Sequence, residues 1–180
     1  YWGASGIAGV WAEANTREAI YDALRRKETF ATSGTRIKVR FFAGYDLADA
    51  ELDSTELVST AYRSGATMGG TLPASDDRQP TFLTWAVADP NTARLQRVQI
   101  IKGWLENGQN QERVYDVACS DGLSVDPQTH RCPDNGAGVD LRTCMPTPDK
   151  GAQQLSVAWR VTGALKAPFR AEPLSEWSEL

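Results

Sequence analysis

The sequence is poor in the residues that most often do chemistry. It has one histidine, two methionines and three cysteines in 180 residues. His130 lies in Thr129-His130-Arg131-Cys132-Pro133, and no G-x-S-x-G elbow accompanies it, which argues against a Ser/His/Asp triad. A catalytic divalent centre needs several converging His, Asp or Glu ligands, and one loop histidine falls short of that. Cys119, His130, Cys132 and Cys144 include no C-x-x-C pair and are irregularly spaced, so they do not read as a zinc site. His130 is expected to be a surface-loop residue, and no cofactor is expected on this chain. No apolar run reaches the roughly 18 residues of a membrane span. Positive charge is also scarce. Lys and Arg total 19 against 23 Asp and Glu, a net charge of -4, which argues against a nucleic-acid-binding face but not against a local site for a small anion. The chain opens Tyr1-Trp2-Gly3 without an initiator Met or a signal-peptide pattern, as expected of a processed product or an excerpt.

The remainder is ordinary globular sequence. Residues 1–12 are small and apolar, reading as a loop or short buried strand. A helix is expected over 15–27, with Asn15 and Glu18 as its capping box. Ala19, Ile20, Ala23 and Leu24 form its apolar face, and Arg25, Arg26 and Lys27 sit at its negative end. Thr29-Phe30-Ala31-Thr32 is β-prone. In the next strand Ile37, Val39 and Phe41 alternate with Lys38, Arg40 and Phe42 and supply the apolar face. Asp53 and Glu56 cap a short helix carrying Leu57, Val58, Ala61 and Tyr62, which Gly65 ends. Residues 65–80 read as a loop. Strands follow at 81–87, within 95–104 and at 114–118, with Asn107-Gly108 as a hairpin signal. Residues 120–150 are loop-like, and 154–161 is a strand or a helix. The simplest architecture is α+β: a helix and strand from an α/β unit, then an antiparallel β-sandwich.

The three cysteines flank or lie within one polar loop. The alternatives are three reduced thiols, one or more buried, and the favoured disulfide joining Cys132 to either Cys119 or Cys144, expected to contribute roughly 3 kcal/mol in the chain-entropy model. It would place the protein in an oxidising compartment, periplasmic or secreted. Six tryptophans, Trp2, Trp11, Trp85, Trp104, Trp159 and Trp177, are many for this length. They suit core positions, with a carbohydrate-stacking platform as the alternative.

Two segments resemble a known family. Val10-Trp11-Ala12-Glu13-Ala14-Asn15-Thr16-Arg17-Glu18-Ala19-Ile20-Tyr21-Asp22-Ala23-Leu24 continues into Arg26-Lys27-Glu28-Thr29-Phe30-Ala31-Thr32-Ser33-Gly34-Thr35-Arg36-Ile37. Arg97-Val98-Gln99-Ile100-Ile101-Lys102-Gly103-Trp104 runs on to Val114-Tyr115-Asp116-Val117-Ala118. Together they resemble the bacterial family called domain of unknown function 3604, which is similar to the polymerase and histidinol phosphatase (PHP) superfamily. The resemblance implies an irregular β/α barrel holding divalent metals and hydrolysing phosphate or sulfate esters. Residues 1–45 then look like the end of that barrel and 46–180 like the sandwich appended to it. The metal-binding blocks of such a barrel would precede Tyr1, and that missing portion would be the chain's partner. Arg160 to Leu180 differs in character from the family's further strands, as a truncated or altered end would. On this resemblance the chain is the C-terminal part of a metal-dependent hydrolase and inactive alone. The alternative is a non-catalytic binding or accessory module. Arg17, Thr32, Ser33 and Arg36 surround the helix and turn at the barrel's end. They are the candidate contacts to a small anionic ester, Arg36 foremost, because a guanidinium gives an oxyanion two parallel charged hydrogen bonds.

Overall fold

The computed structural model describes residues 6–47 and 52–160, together with the backbone of 169–170. Among the described residues strands predominate over two helices, an α+β chain. In order these are β1 (Gly6–Val10), α1 (Arg17–Arg25), β2 (Thr29–Ser33), β3 (Lys38–Gly44), α2 (Leu57–Ser64), β4 (Ala66–Thr67), β5 (Thr71–Leu72) and β6 (Thr81–Val87). Then come β7 (Arg97–Glu106), β8 (Gln109–Cys119), β9 (Val139–Asp140), β10 (Met145–Pro146), β11 (Gln154–Arg160) and β12 (Phe169–Arg170). The chain forms two compact units. The first ends at Thr84 and resumes at Ala158, and the second is Trp85–Val157. The division therefore falls inside β6 and β11. Trp2, Trp177 and nearly all of the tail beyond Arg160 lie outside the described residues.

In the first unit β1 and β2 form an antiparallel ribbon with Ile7 opposite Thr32. The helix between them starts later than the capping box predicts. Thr16, not Asn15, is its N-cap: the Thr16 backbone is extended and its hydroxyl accepts from the Ala19 amide at 3.2 Å. Ala19 is the third helical residue, where such a hydroxyl satisfies one of the otherwise orphaned amides. The helix ends without glycine. Lys27 takes a left-handed φ of 61°, the Lys27 amide donates to Leu24 O and the Glu28 amide to Ala23 O, both at 3.0 Å. This is the Schellman arrangement, which satisfies the last carbonyls and turns the chain sharply. Gly69 fits against that end, since a Cβ there would meet Lys27 and come within 2.8 Å of Arg26 O. Of the expected apolar face only Ala23 is buried, while Leu24 is 52% exposed.

A four-stranded sheet runs in the order β11-β6-β3-β4. Its core is Phe42, Leu47, Leu57, Ala61 and Leu83, with Val58 and Ala158 packed against it. Phe42 thus lies in the core and not on a polar face. β3 is an inner strand whose last three residues, Phe42, Ala43 and Gly44, are all buried, so strict alternation fails there. Phe41 stacks on Phe82 at 5.7 Å, and Phe82 meets Trp159 at 6.0 Å between ring centroids. The 65–80 segment is not only loop: β4 pairs with β3 and β5 with β12. Residues 154–160 are strand, which resolves the strand-or-helix alternative.

In the second unit β7 and β8 form a long antiparallel ribbon. Asn107 and Gly108 both have positive φ, 52° and 76°, as a two-residue type I′ turn requires. Within the loop-like 120–150 stretch β9 and β10 pair as a short hairpin.

Candidate functional site

The first unit carries an open depression of about 770 Å³, whose lining includes Trp11, Glu13, Arg26, Glu28, Arg40 and Tyr62. The fold brings these together from four directions. Trp11 follows β1, Arg26 and Glu28 end the α1 turn, Arg40 lies on β3 and Tyr62 on α2. Glu28 is 4% exposed. The left-handed turn at Lys27 places it inward, and its amide is already committed to the helix end. Both carboxylate oxygens are occupied: Oε1 accepts from Arg26 Nε at 3.0 Å and Oε2 from the Tyr62 hydroxyl at 2.6 Å. A carboxylate this deep needs such partners. Burial, and then the hydrogen bond to Glu28, raise the Tyr62 phenol above its ordinary value, outweighing the opposing pull of Arg40. Tyr62 therefore stays a neutral donor.

Arg40 completes the chain. Its guanidinium donates to the Tyr62 hydroxyl at 3.3 Å and sits over the Trp11 indole, 4.0 Å from the ring centroid. Trp11 is itself fixed, donating from Nε1 to Val39 O at 2.8 Å and packing on Phe30. Arg40 has no carboxylate within ion-pair distance among the described residues. A cation held by aromatic contacts in a depression can receive an oxyanion without first breaking a salt bridge.

The second unit holds a different buried carboxylate. The Asp116 side chain is 0% exposed. It accepts from the Cys132 amide at 2.7 Å, Gln99 Nε2 at 2.6 Å, Arg97 at 3.3 Å and Arg131 at 3.4 Å. Burial works against its charge, but the Cys132 amide, Gln99 and Arg97 outweigh burial and hold its pKa below the usual carboxylate value. Cys132 is disulfide-bonded to Cys119, and Cys144 is an exposed free thiol. The bridge selects Cys119 of the two expected partners. It also takes two thiols from any imagined Cys/His zinc set. Among the described residues no three His, Cys, Asp or Glu side chains are grouped to hold a metal ion.

The residues singled out from the sequence lie elsewhere. Arg17 opens α1 and is exposed, while Thr32 and Ser33 are on β2. Arg36 is in the loop before β3 and is exposed. The Thr32 hydroxyl accepts from the Ile7 amide at 3.2 Å, so it serves the ribbon's backbone. None of these four lines the depression. Glu28, Arg40 and Tyr62 were not singled out. Arg40 was visible as a charge between apolar strand residues, but its contact with Trp11, 29 positions earlier in the sequence, has no local signature.

Fold and site together define an α+β protein with antiparallel strand pairs, a disulfide-tied loop and an arginine-bearing depression. The chain belongs to the family described as Protein of unknown function (DUF3604), which matches residues 1–162. No curated protein and no solved structure matches it.

Proposed function

We propose that the chain is the C-terminal part of a PHP-like, metal-dependent hydrolase of phosphate or sulfate esters, and that its first unit supplies an oxyanion-binding wall. The observation that carries this reading is Arg40, fixed over Trp11 and lining the depression without a carboxylate partner among the described residues. The described residues offer no metal-ligand cluster, so in this reading the metal ligands come from a preceding portion of the same protein. Exposed Ile7, Tyr21 and Leu24, at 41%, 56% and 52%, support a contact with that portion. The β1-α1-β2 segment, whose two strands pair antiparallel, would flank the end of the barrel, and the later strands would form the appended sandwich. The Cys119–Cys132 bridge supports a periplasmic or secreted location.

The test is steady-state hydrolysis of aryl phosphate and aryl sulfate by the full-length protein, with and without chelator. Arg40→Ala should raise KM about tenfold or more with little change in kcat, as loss of one charged ground-state contact does. Arg36→Ala is the comparison arm for the other candidate guanidinium. Chelator-insensitive hydrolysis, or unchanged kinetics in Arg40→Ala, refutes the reading.

A further inference from the structure

We infer that one face of the β7–β8 ribbon, carrying Lys102, Trp104, Gln111 and Arg113, is a binding surface for an acidic oligosaccharide bearing carboxylate or sulfate groups. The register sets Lys102 directly opposite Arg113 and Trp104 opposite Gln111, with Tyr115 one pair further along opposite Ile100. Residues paired in this way, and those two apart, point to the same side of the ribbon. Two cations directly across an antiparallel pair repel and destabilise it. Here nothing described neutralises them: neither Lys102 nor Arg113 makes an ion pair among the described residues. Glu106, on the same side at the turn end, pairs with neither of them, and Glu112 lies opposite Gly103 on the other side. The cations instead lie against rings, Lys102 Nζ 4.8 Å from the Trp104 centroid and Arg113 Cζ 5.2 Å from that of Tyr115.

An uncompensated positive pair beside an indole and a carboxamide complements one chemistry well. The apolar C–H face of a sugar ring packs on indole, an amide meets its hydroxyls, and a carboxylate or sulfate neutralises the cations. A nucleic-acid strand would need a longer basic track, and the chain's net charge of -4 does not provide one. The surface lies in the second unit and does not depend on the proposed hydrolase chemistry.

The experiment is calorimetric titration of the full chain with a heparin-derived hexasaccharide and with tri-galacturonate. A neutral cello-oligosaccharide and a short oligothymidylate serve as contrasts. The inference expects binding of at least one acidic saccharide, weakened about tenfold or more by Lys102→Gln with Arg113→Gln and weakened again by Trp104→Ala. The hexasaccharide and tri-galacturonate arms separate sulfate from carboxylate recognition. Should Trp104→Ala not fold, the paired Gln variant decides alone, with its thermal unfolding as the fold control. The inference is overturned by no binding of either acidic saccharide, by equal binding in the Gln pair, by neutral sugar binding as tightly, or by preference for the oligonucleotide.

Discussion

Glu28 in the first unit and Asp116 in the second are both buried acids, at 4% and 2% exposure, yet their surroundings differ in kind. Asp116 is saturated by four donors, one of them the amide of a disulfide cysteine. Nothing is left on it for a ligand, and its field is spent on holding the 126–132 loop against β8. Glu28 has two donors, and beyond them Tyr62 passes the contact to Arg40 at a depression open to solvent. Burial alone therefore does not mark a functional acid. What matters is whether the chain of partners ends in another internal group or at a surface with a cation to spare.

The largest effect is expected at Asp116. Asp116→Ala leaves two arginines, the Gln99 carboxamide and the Cys132 amide without their acceptor and should destabilise by about 3–5 kcal/mol, read from urea unfolding. A loss comparable to a surface substitution would show that the network carries no weight. The acid limb gives the sign independently. A carboxylate whose folded pKa is depressed contributes stability above its unfolded pKa of about 3.9, and that stability is lost as pH falls through the folded value. Asp116→Asn should flatten that limb. Replacing Cys119 and Cys132 together by Ser comes next, at about 3 kcal/mol for a loop of this length, and non-reducing mass spectrometry should find one alkylatable thiol before reduction. On the other side, Tyr62→Phe removes a half-exposed donor to Glu28 and should cost only about 1–2 kcal/mol while freeing Arg40 at one contact. Unfolding midpoints of the two variants measured together would sharpen the contrast between the acids. The smallest effect is Thr16→Ala, about 1 kcal/mol from the lost cap. An equal loss in Asn15→Ala would restore the capping-box reading.

Much of the scaffold was legible because its causes are local. Asn107-Gly108 demands positive φ at two successive residues, and the ribbon follows from it. The Thr81–Val87 strand and the Leu57, Val58, Ala61 helix face show in their spacing. The cysteine loop was legible as a staple, though not the choice between Cys119 and Cys144. Two features escaped because they depend on distant chain. Phe42 is buried because β3 is an inner strand, and that is a property of its neighbours. Arg40 becomes a site residue only through Trp11 and Tyr62, which reach it from other elements. The candidates chosen instead, Arg17 and Arg36, were basic residues near a turn, and proximity along the chain is a poor guide to who shares a cavity.

The close seat of Gly69 on the Arg26-Lys27 turn has a mechanical corollary. Because any side chain at that glycine would collide, the segment after α2 sits flush on the end of α1, and Glu28 is the next residue along. Gly70 and Thr71, which follow that glycine, line the same depression as Glu28, so one close backbone seat sets the spacing of two parts of its lining. A side chain at position 69 would have to push those parts of the lining apart.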